Sequence, residues 1–326
     1  MLNWTHGGET VFTFATEQKV CSICGIRVGG QPGENPPLLI SSMFHKGDRL
    51  LESRSQRKFD RVRAADLIKR QEELSQSTGI PAIVAMVANS ADEMKCYIDF
   101  FTGVSDRPFA IDIWVAKTRI EAARYVAGLG LQDRLLYNSI TPWDKEIPEQ
   151  VAELKSLGIK HVVLQAFDEA DQMPGGRATS LRRLLDQVGE DTFESILVDT
   201  SVMNLPAIGF SSVASRLIKE RFGWPAGAAP SNGTHMWKEA REMWGREGFA
   251  GLDAAAQGIS SLLWSDFVFY GPIATAPRVI PAVLGATLVL STLVYCERGR
   301  LPASSAHPIY RFFGDFARRL EQQAAG

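Results

Sequence analysis

Short apolar runs rich in β-branched residues alternate with longer stretches of helical period along most of the chain. A hairpin-like stretch, Val20–Gly30, lies within an N-terminal segment of about residues 10–30 and is followed by a first run at Leu38–Phe44 and a helix over Phe59–Ser77. Pro81–Val87 precedes Ala91–Thr102, Phe109–Ile113 precedes Thr118–Leu129, and Leu135–Ile140 precedes Glu146–Leu157. His161–Phe167 leads to Arg177–Val188, Ile196–Val202 to Ile208–Phe222, Ala226–Ser231 to His235–Trp244, and Leu262–Phe269 to Val279–Val294. Eight strand–helix units in sequence predict parallel strands, and eight such strands close into a (β/α)8 barrel, the TIM-barrel class of α/β fold. Gly79, Gly130, Gly158 and Gly223 fall just past predicted helix ends, where a left-handed cap is needed. The competing doubly wound sheet brings a nucleotide fingerprint, whereas Gly128-Leu129-Gly130 lacks a third glycine and follows a helix.

Length and composition fit this picture. The 326 residues suffice for one large barrel domain spanning residues 1–326, and 45% apolar with 22% charged residues is ordinary for a globular protein. A net charge of -2 argues against nucleic acid as a partner. Met1-Leu2-Asn3-Trp4-Thr5-His6 lacks a basic stretch ahead of an apolar core, and four scattered cysteines make no disulfide framework, so the expected location is cytoplasmic. Val279–Cys296 runs eighteen residues without a charge. Its Pro281, Gly285, Thr287, Ser291 and Thr292 favour a barrel helix, or one facing a second protomer, over insertion in a membrane.

In such barrels the chemistry gathers at the carboxyl ends of the strands. There the chain places Asp112, Asn138 and Ser139, Asp168, Asp199, and the Ser231-Asn232-Gly233 segment. Any one of these could cap a helix or satisfy a loop amide. Together they read as a recognition surface for a flat, hydrogen-bonding heterocycle, because carboxylates accept from ring N–H groups and an amide both donates and accepts. No serine or cysteine sits in a nucleophile elbow, and the five histidines show no ligand spacing, so no metal site is expected. Cys21-Ser22-Ile23-Cys24 has metal or redox spacing but no second pair, and reads as structural. His45, just after the first run, reads either as a residue reaching the mouth or as a loop histidine with no role.

These residues carry a resemblance. Gly29-Gly30-Gln31-Pro32-Gly33-Glu34 with the Leu39–Phe44 run resembles the start of the H subunit of tetrahydromethanopterin S-methyltransferase, and of bacterial relatives that methylate tetrahydrofolate from a methylcorrinoid protein. Arg70-Gln71-Glu72-Glu73-Leu74-Ser75, Tyr97-Ile98-Asp99-Phe100, Arg107 to Asp112, Leu136 to Ile140, Val198-Asp199-Thr200 and Pro225 to Asn232 continue the series, in order, over most of the chain.

That family belongs to the pterin-binding barrels, alongside dihydropteroate synthases and methyltetrahydrofolate–corrinoid methyltransferases. The resemblance implies that Asp112, Asn138 and Asp199 hold the edge of the pterin ring and that Asn232 lies near N5, the nitrogen that carries the methyl group. It also implies tetrahydrofolate or a related tetrahydropterin as substrate, a corrinoid carried by a partner protein, and a homodimer. Two positions depart from the pattern: Ala85 replaces a polar residue found in some relatives, and Asp168 replaces a usual asparagine, adding a possible charge. The reverse transfer, from methyl-pterin to the corrinoid protein, and a non-catalytic pterin-binding protein are the alternatives.

Overall fold

A computed structural model describes residues 10–325. The Met1–His6 stretch, read above for a secretory signal, lies outside them. The described chain opens with a hairpin of β1 (Val20–Ile23) and β2 (Ile26–Gly29), followed by β3 (Leu38–Met43). A small second hairpin, β4 (Leu51–Ser53) and β5 (Lys58–Phe59), precedes α1 (Arg61–Thr78). Then come β6 (Ala82–Val87), α2 (Ala91–Thr102), β7 (Phe109–Asp112), α3 (Ala116–Gly128), β8 (Leu135–Ile140) and α4 (Ile147–Ser156). The second half holds β9 (His161–Gln165), α5 (Pro174–Val188), β10 (Ser195–Asp199), α6 (Ala207–Phe222), β11 (Ala226–Ala228), α7 (Pro230–Met236) and α8 (Glu239–Leu262). It ends with β12 (Phe267–Pro272), α9 (Ala276–Arg298) and α10 (Pro308–Ala325). Strands β3, β6, β7, β8, β9, β10, β11 and β12 pair in parallel and close into a barrel of eight, the predicted class.

The near-continuous apolar character of the strands has a direct cause: both faces are buried. Outward-facing Val84, Met86, Phe109, Ile111, Leu135, Tyr137, Val162, Leu164, Ile196 and Val198 pack under the helices in the largest cluster. Inward-facing Leu38, Ile40, Ile83, Ala85, Ala110, Leu136, Val163, Leu197 and Phe267 fill the barrel, and Cys21, Ile23 and Val28 of the first hairpin close it from below. The predicted hairpin is therefore the barrel's floor. Lys219 of α6 fastens it there: its buried ammonium donates to Gly30 O at 2.9 Å and to both oxygens of Asp266, at 2.8 and 2.6 Å, ahead of the last strand. Cys21 is buried in this floor, while Cys24 is exposed in the turn, so the two thiols serve different surroundings.

Two predicted elements shift. Leu262 belongs to the end of a long α8, and the last strand starts only at Phe267, because the Ala- and Gln-containing stretch before it buries one helical face. The region after β11 makes two helices rather than one, beginning at Pro230. Neither β4–β5 nor α10 was expected. The four predicted cap glycines have positive φ of 76°, 71°, 72° and 68° at Gly79, Gly130, Gly158 and Gly223, as a left-handed helix end demands.

Among the described residues, Ile273–Arg298 is long and apolar enough to span a membrane by length and composition, with 39% of its most apolar window buried. Its inner face, Ala276, Val279, Ile280 and Val283, packs on Leu39, Ala82, Val268 and Tyr270 of the barrel. Thr287 and Ser291 turn their hydroxyls back to Val283 O and Thr287 O, each at 2.9 Å, which lets polar side chains sit buried there. This face is that of a barrel helix.

Candidate functional site

A cavity of about 800 Å³ opens at the carboxyl-terminal mouth of the barrel, within the roughly 300–1,000 Å³ usual for small-molecule sites. Small residues make the room. Ala85 on β6 pairs with Ala110 on β7 and with Ser42 on β3, so at this level the barrel interior lacks the bulky side chains that fill it lower down. Ala85, where a polar residue was the expectation, thus contributes depth to the cavity.

Five of the six predicted positions, Asp112, Asn138, Ser139, Asp199 and Asn232, line this one cavity. Asp112 and Asn138 are direct partners across β7 and β8, and Asp199 pairs with Gln165 of β9, which lines the cavity too. Neighbouring strand residues ordinarily face opposite ways. Here the register between β8 and β9 shifts, Asn138 opposing Val163 and Ile140 opposing Leu164, and this bulge at Ser139 lets both Asn138 and Ser139 line the cavity. The peptide between them is cis.

Asp168 is a correction. Its Oδ1 accepts from the Ala170 and Asp171 amides at 2.9 and 3.3 Å, and its Oδ2 pairs with Arg183 at 3.1 Å. These partners hold its carboxyl below the usual range. The charge expected at the site is consumed in shaping the loop after β9, because an Asp beginning a tight loop finds backbone donors two and three residues on. His45 also stays outside the lining. Its Nδ1 lies 3.3 Å from Ser42 Oγ and 3.7 Å from Asp48.

The two cavity carboxylates are electrically unusual. Burial pushes Asp112 up to about 6, against the pull of Arg119. Burial pushes Asp199 up to about 6 as well, against the Ser201 amide, which donates to it at 2.7 Å, and against Arg177, while the Asp112 charge adds to the rise. Arg119 and Arg177 are themselves almost wholly buried, one turn into the helices that follow β7 and β9. No local pattern marked them, because each sits on a helix behind the loop it serves. Their charges keep two nearby carboxylates from being still harder to ionise.

Asn232 lies in the first turn of α7, not ahead of a later helix. Ala229 is the N-cap, and the Asn232 amide N–H donates to Ala229 O at 3.0 Å. Its exposed side chain lines the cavity with no hydrogen bond to protein among the described residues. The next residue must be glycine: a Cβ on Gly233 would stand 2.9 Å from Asn204 O and 3.1 Å from Leu205 Cα, so α7 approaches the loop after β10 only without one. None of the described lining residues is a histidine or cysteine. The arrangement offers acceptors deep in the mouth, amides that work both ways, and an apolar wall of Ile40, Ala85 and Phe269.

Sequence reading also missed the outer wall. Trp114, Lys117 and Arg119 after β7, with Trp143, Asp144 and Lys145 after β8, extend the cavity over the rim. Trp114, two residues past Asp112, and Trp143, five past Asn138, were the available signal.

Comparison with known proteins gives the family and the fold. The H subunit of tetrahydromethanopterin S-methyltransferase from Methanothermobacter thermautotrophicus is 31% identical over 312 residues, 92% of this chain and 99% of its own length. The same-named protein of Methanopyrus kandleri is 29% identical over 288 residues, 82% of this chain and 89% of its own. In fold, the chain is similar to a Yersinia pestis dihydropteroate synthase solved with a pterine-sulfa conjugate (TM-score 0.57, 11% identity, 84% of this chain, 100% of that one). It is also similar to a Coxiella burnetii dihydropteroate synthase in complex with pteroic acid (TM-score 0.55, 11% identity, 85% of this chain, 100% of that one). The family model described as the tetrahydromethanopterin S-methyltransferase MtrH subunit matches residues 16–297, and the chain belongs to that family.

Proposed function

We propose that this protein transfers a methyl group from a methylated corrinoid, carried by a partner protein, to N5 of a tetrahydropterin, with tetrahydrofolate as the substrate. The observation that carries the reading is the convergence of Asp112, Asn138, Asp199 and Asn232 on one cavity at the barrel mouth. Membership of a pterin methyltransferase family supports it.

In this reading Asp112 and Asp199 accept from the ring N–H and amino groups, and Asn138 fixes the ring edge. Carboxylates that are hard to ionise in the free protein gain most from such donors, because the hydrogen bonds offset the cost of their burial. The partner's corrinoid supplies the methyl group and keeps the bonding electron pair as the methyl leaves. The N5 lone pair forms the new bond, and the N5 proton passes to water at the open mouth. Asn232 holds N5 by an amide that can turn either its oxygen or its NH2 inward, so it serves the ring nitrogen before and after that proton is lost. Rigid presentation of N5 is then the protein's main contribution.

Calorimetric titration with tetrahydrofolate is expected to show binding, and no measurable heat at millimolar ligand would overturn the reading for this pterin. The same reading includes a second copy of the chain. The outer face of α9 leaves Val289 and Leu293 exposed, with Ile259 of α8 exposed nearby, an apolar surface suited to a symmetric partner. The protein is expected to run at twice its 35.9 kDa mass without detergent, and recovery in the membrane fraction would reverse this.

A further inference from the structure

The cavity continues past the residues assigned to the ring. Trp114 is 77% exposed and Trp143 38% exposed, yet their rings stack at 6.1 Å and 30°, and both line the same cavity as Asp112 and Asn138. Phe167 extends the row, 5.9 Å from Trp143. Large indoles left open to water beside a ligand cavity are apolar surface awaiting a partner.

Their positions are set in advance. Buried Arg119 donates to Ile113 O at 2.6 Å and Trp114 O at 3.2 Å, and to Asp144 at 2.7 Å, so one guanidinium ties the loop after β7 to the loop after β8. Asp144 also accepts from the Thr141 amide at 3.0 Å. Trp143 Nε1 donates to Glu169 at 2.7 Å, which fixes its ring by the edge. A stack fixed before the ligand arrives loses little entropy on binding.

Charge along this wall is balanced, but two of its cations are held in no ion pair among the described residues. Of the cations on this wall, Arg119 and Arg124 are paired with Asp144 and Glu153. Lys117 and Lys145, both exposed, make no ion pair among the described residues, and they offset the nearby Glu146 and Glu149.

Resting on the pterin reading above, we propose that Trp114 and Trp143 form a second subsite, outside the barrel mouth, that takes an aryl group carried on the reduced pterin, with Lys117 and Lys145 meeting the anionic end of that substituent. Arg119 is its positioning residue.

The test compares two probes by calorimetry: tetrahydrofolate, which carries an aminobenzoyl-glutamate, and 6-methyltetrahydropterin, which has no aryl group. Trp114→Ala and Trp143→Ala are each expected to weaken tetrahydrofolate roughly three- to tenfold, the scale of one aromatic stacking contact. Both variants should leave 6-methyltetrahydropterin within about twofold, and Trp143→Phe should restore most of the tetrahydrofolate affinity. Asp199→Ala should weaken both probes. Equal loss of both probes in the tryptophan variants would make the tryptophans structural and overturn the subsite, as would no loss of either. Failure of the wild-type protein to bind either probe would instead remove the pterin reading, and the subsite with it.

Discussion

Asn232→Ala is expected to slow single-turnover methyl transfer from methylcobalamin to tetrahydrofolate by roughly ten- to a thousandfold, the scale of losing a preorganised hydrogen-bonding group. Pterin affinity should fall much less. A hydrogen bond to N5 gains strength as charge develops there, so its loss raises the barrier more than it weakens the bound ground state. Position in the helix sharpens the test. Asn232 follows the Ala229 N-cap by three residues and makes no side-chain bond to protein among the described residues, so stability has little to lose. Alanine is also the better helix former there. The melting temperature should therefore stay level or rise slightly. A normal transfer rate in the variant would remove Asn232 from the chemistry.

Asp199 should show a trade between binding and stability. Asp199→Ala is expected to weaken tetrahydrofolate by about 1.5–3 kcal/mol, the range for a hydrogen-bonded charged group removed from a buried site. In the free protein the same carboxylate is a burden. Its folded-state pKa of about 6 lies above the ordinary 3.8, so ionisation costs native stability progressively as pH rises between those values. Asp199→Asn keeps an acceptor for the Ser201 amide and sheds the charge. It should melt higher than the wild type at pH 8, by the equivalent of about 1–3 kcal/mol. That advantage should close as the pH falls toward 4. Wild-type pterin binding should weaken below about pH 6, where Asp112 and Asp199 take up protons. A variant no more stable than wild type at pH 8 would mean that burial is not what perturbs this carboxyl.

The barrel was legible because its signals are local. Strands buried on both faces must be apolar throughout, helices that cover them must be amphipathic, and a reversal of chain direction after a helix calls for a left-handed residue, so Gly79, Gly130, Gly158 and Gly223 could be placed from the chain alone. The end of a strand is also a local fact, which is how Asp112, Asn138, Asp199 and Asn232 came to notice.

What happens beyond the strand end depends on packing between distant segments. Asp168 lies three residues past the end of β9, in a loop where neighbouring amides and Arg183 take its carboxylate, whereas Asp199 ends β10 itself and opens into the cavity. Ser139 lines the cavity through a register shift against β9 that nothing within β8 announces. Arg119 and Arg177 act from helices, and Trp114 meets Trp143 only because two loops are bound by one buried guanidinium. By itself the sequence determined the order of elements, the fold class and the rim on which polar residues gather, since periodicity and capping are short-range. Only the tertiary structure decided which of those residues share a cavity, how their charges perturb one another and where the cavity ends, since these are properties of distances between segments far apart in the chain.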